Sequence, residues 1–135
     1  LKVTGIDGKE YSWSLSSSEL DDSSRSNLHI KARKIIQDVF PFDRFYEDVS
    51  LPGSSQKGKN SILFGDFYIP VRSIMIEVNG AQHDKYTSFF HKNKLEFARA
   101  KTRDKIKKQW CDLNNITLIC FEHNETEEQW KDKLK

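Results

Sequence analysis

Long apolar runs are missing from this chain: no apolar stretch among its 135 residues exceeds four. A helix crossing a bilayer needs about 20 such residues, so none is expected. Cysteine is scarce. Cys111 and Cys120 alone build no disulfide framework, and reduced thiols in a cytoplasmic setting are expected. Structural zinc is disfavoured, because His83, His91, Cys111, Cys120 and His123 show no C-x-x-C or H-x-x-x-H spacing. Gly53 and Gly58 match no P-loop, and no motif supports a Ser or Cys nucleophile. No charged segment followed by an apolar one opens the chain, so no secretory signal is expected. The chain starts on Leu1 rather than Met, and a further domain upstream is expected.

A large net charge is also absent, since 22 Lys and Arg against 20 Asp and Glu leave +2. The distribution says more than the sum. Between Lys85 and Lys108 stand nine basic residues, opposed only by Glu96 and Asp104. Such separation predicts a basic face for a polyanion.

What is present reads as one α/β domain, 26–135, preceded by a hairpin and linker over 1–25. Val3, Ile6, Tyr11, Trp13 and Leu15 flank an Asp7-Gly8 turn signal, and a Ser/Asp-rich stretch follows. Ser26 is the expected N-cap of a helix over 27–40. Its stripe is Leu28, Ala32, Ile35, Ile36 and Val39, and Pro41 ends it. Strands are expected at 45–51, 62–69, 73–79 and 116–121. A long helix over 93–113 carries Leu95, Ala98, Thr102, Ile106, Trp110 and Leu113 on one face. A short helix over 125–134 has Thr126 as its cap.

The sharpest signal lies in the hairpin of strands 62–69 and 73–79. A loop of Pro70 to Ser73 pairs Ile69 with Ile74. The same register puts Asp66 across from Glu77, with Cβ atoms about 5 Å apart. Like charges so placed need a compensating cation, and a hard divalent ion on oxygen ligands, Mg²⁺ or Mn²⁺, suits them. The alternative is another register, with each carboxylate against its own Lys or Arg. Period two puts Glu77 and Asn79 on one strand face. Gly80 then breaks the strand, and Gln82 and His83 follow. A metal on paired acids beside an imidazole is what phosphodiester hydrolysis requires.

Gly65-Asp66-Phe67-Tyr68-Ile69-Pro70, Ile76-Glu77-Val78-Asn79-Gly80 and Gln82-His83 together resemble the core of the PD-(D/E)XK nuclease superfamily. The similarity is to the branch of very-short-patch-repair (Vsr) endonucleases and the EDxHD phage homing endonucleases, and it covers residues 26 to about 121. It implies a restriction-endonuclease-like core, a mixed β-sheet flanked by helices. It also implies a metal-dependent DNA endonuclease with Asp66 and Glu77 as metal ligands. The family's lysine, two residues after the second acid, is Asn79 here. Vsr-like members use histidine in that region, so the resemblance gives proton transfer to His83. Gln82 is then expected to hold a water, a phosphate oxygen or the metal shell. Glu47 and His29 are further candidates, each with a plain alternative as a surface charge or a solvated helix position.

On the long helix, Arg99, Arg103 and Lys107 line one flank of the apolar stripe, and Lys94, Lys101, Lys105 and Lys108 the other. The same-sign i, i+4 pairs repel, and phosphates would offset that repulsion. Lys92, Lys94, Arg99, Arg103 and Lys107 are the expected contacts to double-stranded DNA. Phe89 and Phe90 are expected in the core, unless they insert between bases as aromatics of Vsr-like enzymes do. A homodimer or an N-terminal targeting domain is expected to supply long-site specificity. The competing readings are a catalytically silent DNA-binding module on the same fold and a structure-specific or RNA nuclease.

Overall fold

Local signals place most elements where the pattern predicts them. The computed structural model describes residues 1–16, 25–55, 62–80 and 94–135. In chain order the elements are β1 (Lys2–Thr4), β2 (Glu10–Ser12), α1 (Asn27–Val39), β3 (Tyr46–Leu51), β4 (Leu63–Ile69), β5 (Ile74–Asn79), α2 (Lys94–Leu113), β6 (Thr117–Glu122) and α3 (Glu127–Lys133). Helix α1 starts where Ser26 Oγ accepts the His29 N–H at 3.1 Å. Helix α3 starts on a full capping box, with Thr126 and Gln129 bonding each other's backbone. Pro70–Arg72 makes one 3₁₀ turn between β4 and β5, closed by Ser73 at φ +52°.

The main sheet is mixed. Its order is β3-β4-β5-β6, antiparallel between β3 and β4 and between β4 and β5, and parallel between β5 and β6. The parallel pair needs a crossover, and α2 lies within it. Side chains alternate between two cores. On one face Phe67, Ile69, Ile76 and Phe121 pack against Ala32, Ile35, Ile36 and Phe40 of the α1 segment and Trp130 and Leu134 of the α3 segment. On the other, Val49, Leu51, Tyr68 and Met75 meet Trp110 and Cys111 of α2. No helix among the described residues is long and apolar enough to cross a membrane.

The N-terminal hairpin shares that second core. It forms its own two-stranded sheet, and Val3 and Trp13 are buried. The Trp13 ring lies 4.7 Å from Tyr68 and meets Trp110 edge-on at 5.1 Å. Its indole N–H donates to the Ser50 carbonyl at 2.7 Å. Asn114, just after α2, accepts the Thr4 N–H and donates to the Thr4 carbonyl. Residues 1–15 are thus packed onto the domain that follows them.

Helix α2 departs from its expected stripe. Trp110 is fully buried, but Leu95 and Leu113 are 57% and 46% exposed. Trp110 and Cys111 take the inward position together. At about 100° per residue, Leu113 then lies about 200° round the helix from Cys111. The groups that face the sheet further up the helix are Asp104 and Lys107, which line a cavity with residues of β5 and β6.

Trp13→Ala should lower the stability of the whole domain by about 3–5 kcal/mol, as loss of a core aromatic does. Urea unfolding should show one transition at reduced midpoint. A separate early transition for the hairpin would mean that it does not share the core.

Candidate metal centre

The register brings acids together on three neighbouring strands. Between β4 and β5 the pairs are Phe67 with Ile76, Tyr68 with Met75 and Ile69 with Ile74. Continued by one step, this puts Asp66 opposite Glu77, as the loop length predicts. There the carboxylates take over from the backbone ladder. Asp66 Oδ2 accepts the Val78 N–H at 2.8 Å, and Glu77 Oε2 lies 3.4 Å from the Asp66 N–H. Between β3 and β4 the pairs Glu47 with Phe67 and Val49 with Gly65 place Asp48 opposite the other edge of Asp66. Asp48 has φ +50°, a left-handed backbone that aspartate tolerates better than most residues.

Glu77 is only 7% exposed. Burial, and next the neighbouring Asp66 charge, push its carboxyl well above the ordinary range, while Lys107 pulls it back. Lys107 Nζ reaches in from α2 to 2.7 Å from Glu77 Oε1. The ammonium is thus the positive partner of that buried oxygen. Burial depresses the Lys107 ammonium, but Glu77 and Asp66 outweigh that and hold it above its usual value. A cavity of about 70 Å³ opens alongside, lined by Glu77, Asn79, Asp104, Lys107, Leu118 and Cys120. The adjacent carboxylate oxygens of Asp66 and Glu77 are of the type that fits a hard divalent cation, which would compete with Lys107 for Glu77.

His29 and Glu47 form the other flank. Neither is solvated as their plain alternatives would have it. His29 is buried at 7% exposure, its ring stacked on Phe67 at 4.4 Å. Its Nε2 lies 2.9 Å from Glu47 Oε1, which Arg33 also pairs at 3.0 Å. Arg25 Nη1 is 2.6 Å from Asp48 Oδ2 and 2.8 Å from His29 Nε2. One ligand atom each of His29, Asp48 and Asp66 lies within 4.8 Å of the others.

Asp66, Glu77, His29 and Glu47 therefore sit in one region. Asn79 lines the cavity as a neutral amide that donates to Glu122 Oε1 at 3.0 Å. Lys107, expected on the outer flank of α2, turns inward to Glu77. Lys94, Arg99 and Arg103 are exposed. Gln82, His83 and Lys92, with Phe89 and Phe90, lie outside the described residues. Sequence reading missed Asp48, Arg25, Arg33 and the inward role of Lys107. Asp48 follows Glu47 directly, and period two alone sends it to the opposite face. Burial pushes the Cys111 thiol up to about 12 and raises Cys120 as well, so neither is a thiolate at neutral pH.

No protein-family model matches the chain, and no solved structure does. It is similar to uncharacterized protein 307L of Invertebrate iridescent virus 6, with 41% identity over 80 residues, 58% of this chain and 41% of that protein. It is also similar to uncharacterized protein 033L of Invertebrate iridescent virus 3, with 35% identity over 54 residues, 40% of this chain and 28% of that protein. The chain thus spans less than half the length of these viral relatives.

Glu77 makes stability depend on pH with a definite sign. Its proton is held more tightly in the folded chain than in the unfolded one. Stability is full below the ordinary glutamate value of 4.5 and is lost as pH rises through the raised folded value. Chemical denaturation of wild type and Glu77→Gln, without divalent ions, should show the wild type losing ground to the variant from pH 4.5 towards neutrality. A difference flat across that window would mean that Glu77 titrates normally.

Proposed function

We propose that this domain is the catalytic part of a metal-dependent endonuclease acting on double-stranded DNA, built on a restriction-endonuclease-like core of the Vsr/EDxHD kind. The observation that carries the reading is the buried Glu77 carboxylate beside Asp66, capped by Lys107 from a helix lined with basic residues. Its support is chemical. A protein gains nothing in stability from aligning desolvated carboxylates, so a site that keeps them is built for a cation.

Asp66 and Glu77 are the ligands in this reading, for Mg²⁺ or Mn²⁺. The bound ion would polarise the scissile phosphate and acidify a water. Lys107 offsets part of the burial that disfavours the Glu77 charge and brings a positive charge to the place where phosphoryl charge would develop. It thereby supplies what Asn79 lacks relative to the superfamily pattern. The silent-module reading drew its main support from Asn79 and is weakened to that extent. His83 stays the proposed proton carrier, with Gln82 beside it. Hydrolysis forms a bond from water oxygen to phosphorus and breaks the phosphorus bond to the leaving sugar oxygen, which receives the proton. Exposed Arg99 and Arg103 on one flank of α2, and Lys94 and Lys105 on the other, offer positive charge to the DNA backbone. In this reading a targeting segment or a second copy supplies sequence specificity.

Supercoiled plasmid incubated with EDTA, Mg²⁺ or Mn²⁺ tests this directly. Nicking or linearisation is expected with either ion and none with EDTA. Asp66→Ala should abolish it and leave gel-shift binding intact; retained cutting by that variant would sink the assignment. Removing Arg99 and Arg103 together should weaken binding on all sequences and reduce the slope of log affinity against log salt by about two. An unchanged slope would take the DNA away from this face of α2.

A further inference from the structure

Helix α2 carries an apolar line that the fold leaves on the outside. At about 100° per residue, Thr102 and Ile106 lie about 20° to either side of Leu95, and Leu113 falls on the same line five turns on. Leu95, Thr102 and Leu113 are exposed, and Ile106 is half-buried. The Thr102 hydroxyl already donates to the Ala98 carbonyl at 3.0 Å, so it adds little polarity to the line. The helix turns Trp110 and Cys111 to the core instead. A single exposed leucine is ordinary. A line about 27 Å long on one helix, from Leu95 to Leu113, asks for a cover.

The charge beside the line has one sign at its middle. Arg99 and Arg103 border it on one side and Lys105 on the other, all three exposed. Phosphates would use these cations but leave the leucines in water, so DNA does not account for the line. A second copy of α2 would set basic residues against basic ones whichever way it ran, and like charges beside a helical seam oppose pairing. A helix with an apolar face and acidic borders satisfies both parts. Its leucines cover the line, and its carboxylates meet the cations.

We propose that the outer face of α2 docks an acidic amphipathic helix of a partner protein. Leu95, Ile106 and Leu113 are the apolar contacts, and Arg99, Arg103 and Lys105 the ionic ones. Such a partner occupies cations that DNA uses in the reading above, so the two exclude each other and the partner inhibits DNA binding. The docking does not depend on the nuclease reading, whereas the exclusion depends on its DNA contacts.

The probe is a fluorescein-labelled peptide of three heptads, with leucine at a and d and glutamate at e and g, whose own charges keep it from pairing with itself. Titrated with the whole chain, its anisotropy should show saturable binding that weakens as salt rises. Leu95→Gln with Leu113→Gln should weaken binding about tenfold, and so should Arg99→Gln with Arg103→Gln, the scale of one or two lost interface anchors. Both leucines are exposed and glutamine suits a helix, so the first variant keeps its fold. A peptide with lysine at e and g, and one with serine for every leucine, should not bind. Equal binding by either overturns the docking surface, as does binding that survives the loss of both leucines. A chain that sediments as a dimer until those leucines are replaced also overturns it, because a second copy then covers the line. DNA is scored separately by gel shift. The acidic peptide should displace a duplex from the wild type, and the leucine variant should bind the duplex normally but resist displacement. Peptide that binds without displacing the duplex supports the docking surface and overturns the DNA contacts on α2. A duplex shift with no peptide binding overturns the docking surface and leaves the DNA contacts standing.

Discussion

Asp48, Asp66 and Glu77 stand at one level across three neighbouring strands, and their mutual repulsion is the constraint around which the rest of the molecule is arranged. Strand register puts them there, with Glu77 buried and Asp48 and Asp66 partly so. Two tethered cations approach from opposite sides. Arg25 comes from the segment just before α1 and reaches Asp48, and Lys107 comes from α2 and reaches Glu77. Between them Asp66 leans on a backbone N–H, that of Val78. The distortions of the sheet sit at the same level. Asp48 leaves the regular strand conformation, and the β4–β5 ladder yields to side-chain bonds.

This arrangement uses up helix surface that would otherwise be core. The inward line of α2 includes Asp104 and Lys107, so that helix is anchored by Trp110 and Cys111 towards its C-terminal end. The N-terminal hairpin makes up some of the missing contact. Trp13 fills the angle between Tyr68 and Trp110, and Asn114 ties the end of α2 to Thr4. The opposite face carries this demand only at the start of α1, where His29 stacks on Phe67. There α1 and α3 close an apolar layer over Phe67, Ile76 and Phe121, with the Phe121 and Trp130 rings stacked at 4.6 Å.

The order of helices and strands in the main domain was legible because each rests on short-range chemistry. Ser26 and Thr126 accept backbone N–H groups within one turn of themselves, and Pro70 to Ser73 sets the β4–β5 register within four residues. The Asp66/Glu77 pairing follows from that turn length, so the centre of the site was legible too. Its flanks were not. Glu47 and His29 could be named, but their burial could not. On α2, hydrophobic periodicity predicted an apolar seam through Leu95 and Leu113, because periodicity does not register a buried ammonium as an inward group.

The sequence by itself determined the α/β pattern, the caps, the hairpin and the basic run, since each depends on residues within a few positions of one another. Tertiary structure alone decided that Lys107 faces Glu77, 30 positions away, and that Arg25 faces Asp48, 23 positions away. Tertiary structure also joined the first hairpin to the second core. Those contacts arise only when β5, α2 and β6 close their crossover and α1 settles on the sheet. The site's charge balance is therefore a property of packing, and the local pattern carries no trace of it.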